Sequence, residues 1–181
     1  MDWQLLSKKE ILDRPHVRIE EWTMQMHTGR ERSFDIGMYR DAVMVFAVTH
    51  EERILLLWQY VVPAQKKVYS IVAGYMDEGE TPEETGRREL LEESGYQTDD
   101  WMSLGSTLRS KWETGSFHFF LARGIEKAGG QLLEEAEDIE PALFPLDEVK
   151  RMLRDSEIHD VAAVACAYKA LEYLGLHHRS E

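Results

Sequence analysis

Cysteine is nearly absent: the chain of 181 residues holds one, Cys166, in the apolar run VAAVACAY. An intramolecular disulfide and a cysteine-rich zinc site are thereby excluded, and Cys166 reads as a buried structural thiol. The seven histidines are scattered, with His177 and His178 in the tail, and no pair has ligand spacing on a predicted helix. Basic clusters are also missing. With 21 Lys and Arg against 34 Asp and Glu the formal net charge is −13, so a nucleic acid polymer or an anionic membrane would be repelled and neither is expected as a partner. An anionic substrate would need metal ions and a few local Arg or Lys to offset that field. No apolar run approaches bilayer-spanning length, and the N-terminus MDWQLLSKKEILDR lacks the apolar core of a signal peptide. A soluble, reducing, cytoplasmic setting is expected. No repeat, low-complexity tract or composition break divides the chain, which predicts one domain over residues 1–181.

The polar turn HTGRER is flanked by HVRIEEWTMQM (16–26) and SFDIGMY (33–39), whose partial alternation predicts an N-terminal hairpin. AVMVFAVT (42–49) and RILLLWQYV (53–61) are apolar nearly throughout, as strands covered on both faces are. KVYSIVAG (67–74) reads as one further strand. Thr81 is then a strong helix start: it can N-cap, Pro82 suits the first helical position, Glu84 completes a capping box, and Gly95 marks the stop. WMSLGSTLR (101–109) and SFHFFLARG (116–124) predict strands joined by SKWETG. The acidic segment QLLEEAEDIE (131–140) leads into a short strand, PALFPL, and two helices follow from Asp147 and from Asp160. The order predicts an α/β (α+β) fold, a mixed sheet with helices on its faces, preceded by an N-terminal antiparallel β extension over residues 1–40.

The chemistry concentrates between Gly74 and Tyr96. At ~100° per residue, Glu89, Glu92 and Glu93 fall within one third of the helix circumference, while Leu90 faces the apolar side and Gly86 permits close approach to the sheet. Converging carboxylates repel one another unless a cation sits among them. Hard oxygens without His or Cys select Mg2+, with Mn2+ able to substitute, and magnesium shares its shell with substrate phosphates. The patch alone leaves two readings open, a metal site and a solvated charged face.

The wider spacing favours the first. Gly74, Glu80, Arg88, Glu89, Leu90, Glu92, Glu93 and Gly95 match position by position the signature of the Nudix hydrolases, with Tyr96 at its last, usually aliphatic place. The resemblance implies a Nudix fold and a divalent-metal-dependent hydrolase of a nucleoside diphosphate linked to another group. It further implies Glu89 and Glu93 as main metal ligands, Glu92 assisting, the carbonyl of Ala73 completing a metal site, and Arg88 orienting the glutamates without touching substrate.

Outside the signature, LLLWQYVVPA, IVAG, EEAEDIE and the ending from PLDEVKRMLRD resemble the ADP-ribose pyrophosphatase branch over roughly residues 40–176. That branch implies a general base from the acidic loop, here Glu135 with Glu137 second. It implies substrate contacts from Tyr39, Arg40 and Gln59, and a homodimer made through the N-terminal strands. Two departures bear on substrate: Val61 stands where the branch commonly has arginine, and Lys111 where proline accompanies ADP-ribose preference. Beside Lys111, Trp112 could stack on a base or sugar, or pack on the sheet. The expected reaction turns ADP-ribose or a related nucleoside diphosphate sugar into a nucleoside monophosphate and a sugar phosphate. A GDP-mannose or UDP-sugar, a dinucleoside polyphosphate, a nucleoside triphosphate, and a non-catalytic nucleotide sensor stay open.

Overall fold

The computed structural model describes residues 2–15 and 17–175. His16, at the start of the predicted hairpin, and His177 and His178 lie outside the described residues.

The described chain forms two compact units, one from the segment up to Asp41 together with Thr107–Ser116, the other from Ala42–Ser106 and Phe117 onward. In the first unit β1 (Gln4–Arg14), β2 (Val17–Gln25) and β3 (Glu31–Gly37) make an antiparallel sheet in the order β1-β2-β3. The β2–β3 hairpin is the one expected, turning at Gly29 with φ +79°. β1 is additional to that expectation. Its register against β2 shifts between Leu5 and Ser7 and again between Glu10 and Leu12, and such bulges erase the two-residue alternation by which a strand is recognised. Its polar centre is nonetheless held, with Lys8 Nζ lying 4.1 Å from the Trp22 ring centroid.

The second unit is built on β4 (Ala42–Val48) and β5 (Arg53–Val61), followed by β6 (Lys66–Ser70), β7 (Val72–Tyr75), α1 (Pro82–Ser94), β8 (Tyr96–Gln97), β9 (Asp100–Leu108), β10 (Ser116–Arg123), β11 (Glu126–Lys127), β12 (Ile139–Pro145), α2 (Leu146–Arg154) and α3 (Val161–Tyr173). The main sheet runs β12-β5-β4-β10-β9, with β10 parallel to β4 and the neighbours of β5 antiparallel, so the sheet is mixed as the sequence predicts.

β4 and β5 bond each other only at Ala47–Leu55 and Val48–Ile54. Beyond that point β6 pairs with β5 and β7 pairs with β4. This is why the single strand expected over 67–74 is two: the chain changes partner at Ile71, which is buried and carries no turn residue to announce the change. The alternation of β4 feeds two apolar clusters. Met44, Phe46 and Val48 join Val149, Met152, Ala163 and Cys166 of α2 and α3, and Val43, Val45 and Ala47 join Leu90 of α1. The sheet is thus covered by helices on both faces. Cys166 is buried as expected, its thiol pushed up to about 12 by that burial. Among the described residues no helix is long and apolar enough to cross a membrane.

Candidate active site

Local chemistry fixes the phase of α1. Thr81 Oγ1 accepts the Glu84 N–H at 3.3 Å while Glu84 Oε2 accepts the Thr81 N–H at 2.8 Å, the capping box read from the sequence, and Gly95 ends the helix at φ +69°. Gly86 sits where a Cβ would come within 3.2 Å of Trp101 Cζ3 and 3.4 Å of Val45 Cγ2, which makes it the expected point of close approach. So phased, the helix buries Leu90 in the core and turns Glu89 and Glu93 against β7.

Glu93 is buried, and its Oε2 accepts the backbone N–H of Ala73 at 3.0 Å. Glu89 lies across Gly74 so closely that a Cβ there would fall 1.9 Å from Glu89 Oε1. Arg88 organises the remainder. Its Nε and Nη2 donate to Glu80 at 2.9 and 3.1 Å, its Nη1 donates to Glu89 at 2.7 Å and to Glu92 at 3.0 Å, and Nη2 also reaches the Tyr75 carbonyl at 3.2 Å. One guanidinium thereby braces three carboxylates and the end of β7, in keeping with an orienting role. Thr85 Oγ1 adds a bond to Glu80 at 2.7 Å.

The carboxylates differ in charge state. Hydrogen bonding to Arg88 holds Glu80 well below the usual carboxylate range. Burial pushes Glu89 up to about 7 against the relief given by Arg88, and burial also raises Glu93 well above its ordinary value, against the Ala73 N–H and with the charges of Glu89, Glu137 and Glu92. Glu93 also occupies the last turn of α1, which has no basic residue, so the helix dipole adds to the penalty on its ionisation.

The acidic loop separates the two base candidates. Glu137 is half-buried and close enough for its charge to raise both Glu89 and Glu93, whereas Glu135 is exposed in the turn. Glu137 closes that turn itself, its N–H donating to the Glu134 carbonyl at 3.1 Å and its Oε2 accepting the Glu134 N–H at 2.8 Å. Gln59 is half-buried on β5, between Val68 of β6 and Ile139 of β12.

Tyr39, Arg40 and Trp112 belong to the other unit. There the Tyr39 N–H donates to Thr114 Oγ1 at 2.8 Å and its ring lies 5.0 Å from the Arg109 guanidinium, while Arg40 is exposed. Trp112 stacks on Phe34 with centroids 5.5 Å apart, and Lys111 Nζ lies 5.1 Å from the Trp112 ring.

Do these groups suit a hard cation? Among the described residues no three acidic, imidazole or thiol groups converge as a finished cage, because Arg88 draws Glu89 and Glu92 toward itself and Glu93 turns to Ala73. Yet each of these three glutamates uses one oxygen in those bonds and keeps the other. Glu93 is buried and Glu89 half-buried, and the ionisation of both is opposed by desolvation and by neighbouring carboxylates, a charge imbalance that a divalent cation would relieve. The donor set fits.

A carboxylate cluster on a strand–loop–helix, braced by one arginine and faced by a loop glutamate, has the makings of a metal-assisted phosphohydrolase. The NUDIX domain model matches residues 38–163, more than half of the chain, and the chain belongs to the Nudix family. It is a Nudix pyrophosphohydrolase resembling the ADP-ribose pyrophosphatase branch. A methanol dehydrogenase activator of Bacillus methanolicus is 28% identical over 94% of this chain and 91% of its own length. ADP-ribose pyrophosphatases of Bacillus subtilis and Mycobacterium tuberculosis are 26% and 28% identical, over 97% and 91% of this chain and 94% and 81% of theirs. The crystal structure of an ADP compounds hydrolase shares the fold with a TM-score of 0.86 at 19% identity, covering 99% of this chain and 98% of that one.

Sequence reasoning does not reach Thr85, Lys67 or Gln131. Thr85 bonds Glu80, Lys67 bonds Asp138 and Glu140, and Gln131 bonds the Glu93 and Ile139 carbonyls, tertiary contacts that no spacing rule announces.

The raised Glu89 carboxyl predicts a pH effect. Its folded value of about 7 exceeds its ordinary 4.5, so the stability it confers is present below 4.5 and is lost as pH rises through about 7. In chelator, the melting temperature of wild type relative to Glu89→Gln should fall between pH 5 and pH 8. A divalent cation should reverse the trend, stabilising wild type more at pH 8 than at pH 6. Equal wild-type and Glu89→Gln profiles would contradict the assignment.

Proposed function

We propose that this protein hydrolyses the pyrophosphate bond of ADP-ribose or a closely related nucleoside diphosphate sugar, with Mg2+ (or Mn2+), giving a nucleoside monophosphate and a sugar phosphate. The observation that carries the reading is the packing of Glu89 and Glu93 against Ala73 and Gly74, with Glu137 facing both carboxylates. Two relatives matching nearly the full chain are ADP-ribose pyrophosphatases, which favours this substrate class over nucleoside triphosphates.

Glu89, Glu92, Glu93 and the Ala73 carbonyl are the groups that would hold the metal. Bound there, Mg2+ supplies charge neutralisation of the diphosphate and a water made acidic enough to attack at neutral pH. Arg88 keeps Glu89 and Glu92 aimed while remaining cationic. Glu137 Oε1, the oxygen not engaged by the Glu134 N–H, is the acceptor we assign for the proton of the attacking water, in preference to exposed Glu135. Gln59, Tyr39, Arg40 and Trp112 are the candidate contacts to the nucleoside and sugar. The exposed apolar residues Trp3, Leu5, Leu6 and Ile11 of the N-terminal segment suit a second copy of the chain, and the working form we infer is a cytoplasmic homodimer, checked by light scattering.

The test is turnover of a panel of ADP-ribose, GDP-mannose, UDP-glucose, diadenosine polyphosphates and nucleoside triphosphates with Mg2+. Phosphate-containing products should appear first from ADP-ribose. The relative called an activator favours a second reading, a regulator that binds a nucleotide without cleaving it. Tight binding of one compound with turnover of none would establish that reading instead. Within the enzyme reading, Glu137→Gln should lower kcat more than Glu135→Gln, by roughly 10²-fold, the usual weight of a positioned general base. The reverse order would move the base to Glu135.

A further inference from the structure

We propose that Gln131 is a positioning residue that ties the carboxylate helix α1 to the loop bearing Glu137, so that the two halves of the site hold one fixed spacing during turnover. The inference rests on the reading of Glu137 given above. The Gln131 side-chain amide donates both of its protons to backbone carbonyls, to Glu93 O at 2.7 Å and to Ile139 O at 3.0 Å. A planar NH2 group spent in this way has no further donor and little rotational freedom.

Both acceptors matter. The Glu93 carbonyl lies in the last turn of α1, where carbonyls have no intrahelical partner. The same residue therefore offers its carboxylate to the site and its carbonyl to the loop. Ile139 opens β12 at the far end of the acidic segment, so Gln131 joins the two ends of that segment across its base. The Leu132 N–H adds a bond to the Glu92 carbonyl at 2.9 Å. Leu133 packs beside the apolar cluster that contains Leu90.

The other end is anchored independently. The Tyr60 N–H donates to the Asp138 carbonyl at 3.1 Å, and Lys67 Nζ reaches Asp138 at 2.7 Å and Glu140 at 2.5 Å. Between these anchors lies the turn from Glu134 to Glu137, held by the bonds between its own two ends. The Ala128 and Gly129 N–H groups also donate to the Gly95 carbonyl at the end of α1, at 2.9 and 3.2 Å, but Gln131 is the side chain that joins α1 directly to the start of β12. Removing the Gln131 amide should leave the strands and the helix in place while releasing Glu137 from its fixed distance to Glu93. A displacement of ~1 Å at a reacting group costs up to ~100-fold in rate.

Gln131→Met removes both donors at nearly constant side-chain length. With the whole chain, Mg2+ and ADP-ribose, it should lower kcat about tenfold, with KM changed less than about twofold. Amide exchange over residues 132–138 should quicken while that of α1 is unchanged. On a Glu137→Gln background the same substitution should cost almost nothing, because a residue acting through Glu137 has no further effect once its carboxylate is gone. Gln131→Glu, which faces the same carbonyls with oxygens, is the second variant should the first fold poorly, and the same loss is expected. Wild-type kcat and exchange in these variants, or equal losses on both backgrounds, would overturn the proposal. A Glu137→Gln protein that turns over normally instead removes the base assignment itself, and that result is read without any Gln131 variant.

Discussion

Glu93→Gln should abolish most turnover, lowering kcat/KM by about a thousandfold, while leaving a folded protein. The size follows from the several kcal/mol of charge stabilisation that a bound cation contributes to displacement at phosphorus, at 1.36 kcal/mol per tenfold. The fold should survive for a specific reason. The glutamine keeps an oxygen able to accept the Ala73 N–H that Glu93 Oε2 accepts at 3.0 Å. It also removes a carboxyl that burial and three neighbouring carboxylates make costly to ionise. In chelator at pH 8 the variant should therefore melt no lower than wild type, and the gain in melting temperature on adding Mg2+ should be largely lost. Normal turnover at limiting Mg2+ would count against Glu93 as a ligand. A collapse of the metal-free melting temperature would show that Glu93 is held for structure.

Gly74→Ala is the second large effect, and it replaces no charged residue. The Cβ it adds would sit 1.9 Å from Glu89 Oε1, 2.0 Å from Cδ and 2.6 Å from Cγ. A strand accepts alanine readily at this φ, and the obstructing atoms are the end of a flexible side chain, so the cost falls on the Glu89 rotamer and not on the sheet. Stability should drop by about 1 kcal/mol or less, in the range of an off-rotamer side chain. Activity should drop roughly 10²-fold, as expected for a displaced catalytic group. Calorimetry should show weaker divalent-metal binding. A variant with wild-type activity would mean that Glu89 can serve from another rotamer.

How far the chain could be read in advance depended on which physical rule governed each part. α1 was legible to the residue because its ends are local chemistry, Thr81 with Glu84 at one and Gly95 at the other, and its carboxylates keep a strict helical spacing. β4 and β5 were legible as unbroken apolar runs in the middle of a sheet. The partner change at Ile71 was not, since it depends on where β4 and β5 diverge, which is a tertiary fact. β1 was hidden by its two register shifts. In the acidic loop no period exists to rank Glu135 against Glu137. Their difference arises from a turn that exposes one and half-buries the other. Val61, Lys111 and Trp112 remain the residues on which discrimination among nucleoside diphosphate sugars is expected to turn.

The pairing of β7 with β4, followed at once by α1, also makes the two halves of the site unequal in contact order. Ala73, Gly74, Arg88, Glu89 and Glu93 come from one short run of chain, so the acidic half of the site has low contact order once β4 is present. Glu137 lies beyond β8 to β11 in the chain, just before β12, which pairs with β5. The acidic half of the site is thus local in sequence, and the loop that carries Glu137 is joined to it only through distant chain.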